Sequence, residues 1–231
     1  MTWEVLADPQ ATAERAAAII AQDARAAVAA RGKFTMAVSG GHTPWVMLRG
    51  LANQDVPWAG VEVFQVDERV APAGDPDRNL THLHESLLVH APIKREQIHA
   101  MPVELPDLEA AASQYAETLR AITGEPAVLD LVHLGLGPEG HTASLVPGDT
   151  VLNITDRDVG VTGIYMGHRR MTLTYPLLNR SRKILWLVTG AEKTAMLPRL
   201  REGDVTIPAG RISRDQAVVL ADRAAVGESK R

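Results

Sequence analysis

Four polar or glycine-rich clusters carry the residue types that bind an anion or move a proton. They are SGGHTP (39–44), DER (67–69), GLGPEGHT (135–142) and TGAEK (189–193). His141 is the candidate general base, because imidazole exchanges a proton near neutral pH and a glycine-rich loop delivers it. Asp67 and Arg69 offer a carboxylate and a guanidinium to one ligand. Each cluster alone has an ordinary structural interpretation, but the four together predict one site.

The first cluster has the features of an anion site. Gly40 and Gly41 let the backbone approach a ligand closely. Thr43 is suited to cap a helix whose first turn contains Pro44, and the free N–H groups of a helix N-terminus bind phosphate. Lys193 is expected in the first turn of another helix, where the helix dipole disfavours a cation. A bound anion would offset that cost.

The elements that must position these clusters alternate along the chain. Strands are predicted at Glu4–Leu6, Phe34–Val38, Val61–Val66, Val128–Leu134, Gly163–Met166, Met171–Thr174, Ile184–Val188 and Ala217–Leu220. Helices are predicted at 9–31, Pro44–Ala52, Asn79–His90, Leu108–Thr123 and Ala191–Arg201. This alternation predicts a Rossmann-like α/β fold, with a mostly parallel sheet and helices on both faces. Each cluster follows a strand, and ligands of such sheets bind outside the carboxyl ends of the strands.

Length and composition limit the class of protein. The chain has 231 residues, 45% hydrophobic and 23% charged, with a net charge of −4. We expect a single domain over 1–231, with its least regular segment, 147–169, over the site. The charge disfavours a nucleic-acid partner, and no apolar run reaches the roughly 18 residues of a membrane helix. The first residues lack a signal-peptide pattern, and there is no cysteine, so we expect a cytoplasmic protein.

Residues 135–140 match the G-x-G-x-x-G pattern of dinucleotide-binding proteins. We reject a dinucleotide site because Pro138 lies in the loop and Pro147-Gly148 would end a following helix within two turns. The strand candidate that follows also lacks an acidic residue for a ribose. Neither a metal-ligand spacing nor a nucleophile elbow G-x-S-x-G occurs in the chain. We therefore expect no cofactor and no metal.

Five longer segments carry a resemblance to a known family. They are SGGHTP (39–44), VDERVAPAGDPDRN (66–79), LDLVHLGLGPEGHTASLVPG (129–148), RMTLTYPLLN (170–179) and LVTGAEKTAML (187–197). Their content and order resemble the 6-phosphogluconolactonase family, whose relatives include glucosamine-6-phosphate deaminase. The likeness runs from about residue 3 to residue 225, and the third segment is the most specific.

The resemblance implies hydrolysis of 6-phospho-D-glucono-1,5-lactone, a phosphorylated sugar lactone, by a monomer or homodimer. It implies that His141 is the catalytic base and that Asp67 and Arg69 act beside the sugar. Arg170 and Lys193 are the implied cationic partners of the phosphate. The full set expected to bind substrate is Ser39, Gly40, Gly41, Thr43, Asn79, Gly140, Arg170 and Lys193.

The sequence departs from the family pattern at four places and leaves alternatives open. His42 stands for a usual Ser, Glu139 for Asp, Val146 for Phe, and Gly167-His168-Arg169 for a Pro-rich stretch. Either Asp67 or Glu139 is expected to orient His141. The alternative functions are a deaminase-like sugar-phosphate isomerase and a non-catalytic sugar-phosphate-binding domain. The isomerase fits less well because Glu68-Arg69 follows Asp67, where deaminases usually carry an acid–tyrosine pattern.

Overall fold

The computed structural model describes residues 1–228, which contain ten strands and six α-helices. The strands are β1 Thr2–Leu6, β2 Phe34–Val38, β3 Val61–Gln65, β4 Asp67–Arg69, β5 Ile98–His99, β6 Leu131–Leu134, β7 Val159–Val161, β8 Arg170–Leu173, β9 Ile184–Val188 and β10 Ala217–Asp222. The helices are α1 Pro9–Arg31, α2 His42–Ala52, α3 Asn79–Leu83, α4 Leu108–Thr123, α5 Tyr175–Arg180 and α6 Leu197–Glu202. The predicted α/β class is confirmed.

Seven strands form one parallel sheet in the order β1-β10-β9-β6-β2-β3-β5. After β2 the chain moves to β3 on one side, whereas after β6 it moves to β9 on the other. The neighbours β2 and β6 therefore flank the point at which the winding direction reverses. A crevice forms there at the carboxyl ends of the strands, which is the usual ligand position in such sheets.

The apolar strands are buried because helices cover both faces of this sheet. Every residue of β2, β6 and β9 is buried, as expected of parallel strands between two layers. One apolar cluster packs the sheet against α1 and α2, and the other packs it against α4, α5 and α6. Helix α1 starts where Asp8 accepts a hydrogen bond from the Ala11 N–H, and Gly32 ends it at φ 73°.

A second sheet was not predicted. Strands β4, β8 and β7 pair antiparallel in the order β4-β8-β7. Val66 joins the two sheets: its N–H donates to the Val38 carbonyl of β2, and its carbonyl accepts from the Leu173 N–H of β8. The cluster at 67–69 is therefore a strand of its own, whereas the prediction ended the preceding strand at Val66 and placed the cluster after it.

Several predicted boundaries of helices and strands are wrong. The helix predicted at 79–90 changes to π-helical hydrogen bonding over His84–Leu88, and the one predicted at 191–201 is a 3-10 turn, Ala191–Lys193, followed by α6. The strand predicted at 163–166 is instead one arm and part of the turn of a hairpin. Segment 147–169 is more regular than predicted, because it contains a 3-10 turn at Thr150–Asn153, strand β7 and that hairpin.

Candidate functional site

A cleft of about 370 Å³ lies at the carboxyl ends of β2, β6 and β9. It brings together residues that are far apart in the sequence. The predicted site residues that line it are Ser39, Gly40, Gly41, Thr43, Asp67, Arg69, Asn79, His141, Arg170 and Lys193. One predicted residue, Gly140, is not among the lining residues. The cleft therefore combines three cationic side chains, two histidines (His42 and His141) and two glycine-rich loops.

The loop between β2 and α2 presents backbone to the cleft. Gly41 precedes α2 with φ 129°, a conformation that other residues rarely adopt. At Gly40 a side chain would overlap the Asn79 amide, so glycine permits this contact. The Thr43 hydroxyl lies 2.7 Å from the Thr189 hydroxyl, which ties the loop to the end of β9. The helix predicted from Pro44 begins two residues earlier, at His42, and the prediction of Thr43 as its cap is wrong: Gly41 is the N-cap residue and no side chain caps the helix.

Ser39 makes its hydrogen bonds inward, to the buried His133. Its hydroxyl donates to the His133 carbonyl at 2.9 Å, and its N–H donates to Nδ1 of that imidazole at 3.3 Å. Burial lowers the pKa of His133 to about 4, so the ring is neutral and accepts this bond. The side chain of Ser39 therefore fixes the start of the glycine loop.

Lys193 lies in the short 3-10 turn Ala191–Lys193, which follows β9. Because this short turn, and not the first turn of an α-helix, contains Lys193, the predicted unfavourable interaction between its ammonium and a helix dipole does not arise. Its ammonium is 3.4 Å from a carboxylate oxygen of Glu192. Both side chains line the cleft, and Glu192 was missed from the sequence.

Of the two carboxylates that the sequence left open as partners of His141, Glu139 is the one in contact with it. Nδ1 of His141 lies 2.8 Å from Oε2 of Glu139. A carboxylate partner makes Nδ1 the protonated nitrogen and leaves Nε2 as the basic one. The imidazole packs on Gly137, where any side chain would overlap the ring. Burial raises the pKa of Glu139, but hydrogen bonds from His141 and the Tyr165 hydroxyl outweigh it and lower that pKa.

Gly140 has a packing environment instead of a cleft position. Its φ is 78°, and a side chain there would overlap Ile207. Its carbonyl accepts a hydrogen bond from the Ala209 N–H at 2.9 Å. The glycine therefore lets the loop that carries His141 pass close to the segment after α6.

Asp67 is buried and bonded away from His141. Its Oδ2 accepts a hydrogen bond from the Ser144 hydroxyl at 2.6 Å, and the Asn79 amide donates to its backbone carbonyl at 2.9 Å. Burial raises the pKa of this carboxyl, although the Ser144 hydrogen bond and the Arg170 charge oppose the shift. Asn79 thus touches both the glycine loop and β4.

Two arginines face each other across the small sheet. Arg69 of β4 pairs directly with Arg170 of β8, and like charges in this position destabilise a sheet. Burial lowers the pKa of Arg170; Asp67 opposes that shift and Arg69 adds to it. Among residues 1–228, nothing hydrogen-bonds the buried Nε of Arg170. The pair therefore provides a positive site for an anion.

Glu68 organises this region, and sequence reasoning assigned it no role. The side chain is fully buried and accepts from the N–H groups of Arg69, Asn79 and Leu80 at 2.8 Å each. Its Oε2 also lies 3.1 Å from Nε of the buried Arg78. Glu68 thus caps α3 from outside the helix and holds Arg69 and Asn79 at the cleft. The sequence offered one signal for this role, because Glu68 lies between two cleft residues in the segment DER (67–69).

The fold and the cleft together define a class of protein. A doubly wound α/β protein presents a cationic cleft and a histidine–glutamate pair at its switch point, which suits a small anionic substrate. Within residues 1–228, no three or more histidine, aspartate or glutamate side chains form a group able to hold a metal ion. No helix in that part of the chain is long and apolar enough to span a membrane.

Comparisons with known proteins specify the family. Residues 7–220 match the family described as glucosamine-6-phosphate isomerases/6-phosphogluconolactonase, and the chain belongs to this family. Its relatives include the 6-phosphogluconolactonase of Synechocystis sp., 38% identical over 194 residues that cover 82% of this chain and 80% of the relative. The 6-phosphogluconolactonase of Mycobacterium tuberculosis is 38% identical over 217 residues, 88% of each chain.

Solved structures agree with this assignment. The crystal structure of 6-phosphogluconolactonase from Thermotoga maritima superposes with a TM-score of 0.85 at 28% identity, covering 96% of this chain and 98% of the other. A monomeric glucosamine-6-phosphate deaminase superposes equally well, with a TM-score of 0.85 over 99% of this chain, at 19% identity. The second likeness shows the shared fold alone.

Proposed function

We propose that this chain hydrolyses 6-phospho-D-glucono-1,5-lactone to 6-phospho-D-gluconate, with His141 as the general base. The observation that carries the proposal is that His141 lines a cleft with three cations and is hydrogen-bonded to Glu139. The names of the relatives support the same substrate. A lactone carbonyl is already electrophilic, so a positioned water and a base suffice for its hydrolysis.

The phosphate binds at the glycine loop in this proposal. Gly40, Gly41 and Thr43 offer backbone N–H groups and a hydroxyl at the start of α2, which favours an anion. Arg170 and Lys193 supply the neutralising charges, and Ser39 and Asn79 hold the loop in shape. Gly140 contributes through packing against Ile207. Remote binding of the phosphate positions the reacting carbon, and such binding energy can be converted into rate.

At the reacting carbon, Nε2 of His141 takes a proton from the attacking water. Glu139 keeps the proton on Nδ1 and stabilises the imidazolium that forms, as a carboxylate does for a catalytic histidine. The Arg69 guanidinium stabilises the oxyanion of the tetrahedral intermediate. The imidazolium then protonates the ring oxygen as the lactone opens. Asp67, which is bonded to Ser144 and Asn79, keeps these two polar side chains in place beside the two arginines.

The test is the decay of 6-phosphogluconolactone with and without the protein, because this lactone also hydrolyses spontaneously. We expect the protein to accelerate the decay and to yield 6-phosphogluconate. Ammonia release from glucosamine 6-phosphate, measured in parallel, would identify a deaminase instead. Binding of 6-phosphogluconate with an unchanged rate of lactone decay would identify a non-catalytic binding domain and overturn the proposal.

Three wider expectations accompany this function. We propose that residues 1–231 act as a single domain, that the protein works without cofactor in the cytoplasm, and that it is a monomer or homodimer. Sedimentation of the purified chain would measure the oligomeric state. Activity retained after exhaustive treatment with a chelator would support the absence of a metal requirement.

A further inference from the structure

We propose that Tyr165 is a positioning residue that holds Glu139 against His141, an inference that rests on the proposed function. The Tyr165 hydroxyl donates to Oε1 of Glu139 at 2.9 Å, while Oε2 of the same carboxylate accepts from His141 at 2.8 Å. Both oxygens of Glu139 are therefore engaged, one by the proposed base and one by the tyrosine. The three side chains form a continuous hydrogen-bonded chain.

The Tyr165 ring makes two further contacts with residues of the cleft. It meets the His141 ring edge-on, with 5.7 Å between centroids and 69° between planes. Cζ of Arg170 lies 5.0 Å from the centroid of the same ring, within the range of a cation–π interaction. Tyr165 therefore touches the imidazole, its carboxylate partner and one arginine of the cross-strand pair.

Glu139 needs such a restraint because of where it lies. The residue follows Gly137-Pro138 in a loop, and its side chain is 47% exposed. A free glutamate side chain of this kind samples several rotamers, and fixing one costs conformational entropy. The hydroxyl of Tyr165 reduces the number of rotamers open to Glu139 and keeps Oε2 facing Nδ1 of His141.

The backbone presents Tyr165 at the end of a two-residue hairpin. The N–H of Tyr165 donates to the His168 carbonyl at 2.9 Å, and the reverse bond is 3.3 Å. Met166 and Gly167 form the turn with φ values of 50° and 85°, as a type I′ turn requires. Nε2 of His168 lies 3.1 Å from Oδ2 of Asp77, which ties the hairpin to the segment after β4.

The residues on either side of Tyr165 in the sequence are exposed to solvent. The side chains of Ile164 and Met166 are among the most exposed large hydrophobic groups, with 78% and 77% of their surfaces accessible. Apolar burial at the hairpin tip is therefore small, and the hydrogen bonds of Tyr165 and His168 supply its attachment. This arrangement orients one side chain of the tip, Tyr165, towards the proposed base.

The test is Tyr165→Phe, which keeps the ring contacts and removes the hydroxyl. Because this hydrogen bond is made to a charged carboxylate, loss of its positioning effect predicts a fall in kcat of about tenfold. KM should stay within about twofold, because the proposed phosphate ligands are untouched. The matched control is Tyr175→Phe, which removes a hydroxyl bonded to the Pro208 carbonyl at 3.0 Å outside the cleft and should leave kcat unchanged.

Two further measurements separate positioning from a general structural effect. In a Glu139→Ala background, Tyr165→Phe should cause no additional loss, since the tyrosine acts through the carboxylate. The proton on Nδ1 of His141, followed by NMR, should exchange faster with water in Tyr165→Phe than in the wild-type protein. Additive losses in the double variant, or a wild-type kcat in Tyr165→Phe, would overturn the inference.

The NMR readout does not depend on turnover, so the two proposals fail separately. A wild-type protein that leaves lactone decay unchanged refutes the proposed function. Faster exchange of the His141 proton in Tyr165→Phe would still support the conclusion that the Tyr165 hydroxyl holds Glu139 against His141. A fully active Tyr165→Phe variant refutes the inference and leaves the proposed function in place.

Discussion

The two sheets supply the cleft in different ways. The seven-stranded parallel sheet contributes loops that follow β2, β6 and β9, so its functional groups lie beyond the strand ends. The three-stranded antiparallel sheet contributes Asp67, Arg69 and Arg170 from within the strands themselves. The loops are short and locally shaped by glycine, whereas the small sheet depends on buried polar contacts between distant parts of the chain. Function is thus separable from stability in the first region and coupled to it in the second.

The largest expected effect on the free energy of unfolding lies in the small sheet and comes from Glu68→Gln. This change removes the buried one of the two carboxylates that pair with Arg78 and places an amide among N–H donors, so unfolding should require about 3–5 kcal/mol less. Urea denaturation measures the difference. The matched control is Glu104→Gln, since Glu104 also pairs with Arg78, at 2.9 Å, but its side chain is 55% exposed. That control should cost no more than about 1 kcal/mol.

An equal effect of the two glutamate variants would contradict the coupling of this region to stability. A folded Glu68→Gln protein should also lose activity, because Glu68 holds the backbones of Arg69 and Asn79. Activity at the wild-type level in such a protein would show that the small sheet does not need this carboxylate to shape the cleft.

The same contrast explains what sequence reasoning found and missed. The loop at 39–44 was predicted because its signal is local: two glycines, a threonine and a proline between a strand and a helix. The parallel sheet was predicted because fully buried strands are continuous apolar runs. By contrast, the pairing of β4 with β8 joins residues about a hundred positions apart, and no short pattern encodes that register.

Tyr165 and Glu68 were missed for a similar reason. Met166-Gly167 is a weak turn signal, since a non-glycine residue at positive φ is usually Asn or Asp. The strand predicted at 163–166 therefore extended through the hairpin turn. The partner of His141 was left open because Asp67 and Glu139 belong to clusters that were expected at the same site, and only the three-dimensional contacts distinguish them.

In the loop region, Lys193→Met should lower kcat/KM by about 10–100-fold, mostly through KM, since a charge-assisted hydrogen bond to phosphate is worth about 1.5–3 kcal/mol. Its thermal midpoint should stay near that of the wild-type protein, because Lys193 lies in a short turn at the cleft. Lys183→Met is the control: Lys183 pairs with Asp23 at 2.7 Å outside the cleft and should keep its KM. An unchanged KM in Lys193→Met would remove this lysine from the phosphate site.

The smallest expected effect is a gain in stability from Asp67→Asn. Burial raises the pKa of Asp67, so the folded state favours the neutral acid and loses stability as pH rises through that pKa. The amide imitates the neutral form and should raise the thermal midpoint at pH 7 by about 2–4 °C, roughly 1 kcal/mol for a chain of this size. The difference in thermal midpoint between Asp67→Asn and the wild-type protein should shrink below about pH 4, the ordinary pKa of aspartate.

Calorimetry at the two pH values measures this stability difference, and a lower midpoint for Asp67→Asn at pH 7 would contradict it. Ser144→Ala provides a complementary comparison. Removal of the hydroxyl that lowers the pKa of Asp67 should raise that pKa further and move the pH dependence of stability upward.

The central claim is that His141 is the base of the hydrolysis, and one measurement tests it most directly. The decay of 6-phosphogluconolactone is followed with wild-type protein, with His141→Ala, with His99→Ala and without protein. His99 pairs with Glu62 at 2.7 Å and does not line the cleft, so it controls for the loss of a histidine–carboxylate contact. We predict that His141→Ala stays folded and loses about 10²–10⁴-fold in turnover, the usual contribution of a positioned base. His99→Ala should hydrolyse the lactone at close to the wild-type rate, and a His141→Ala protein that does the same would contradict the assignment.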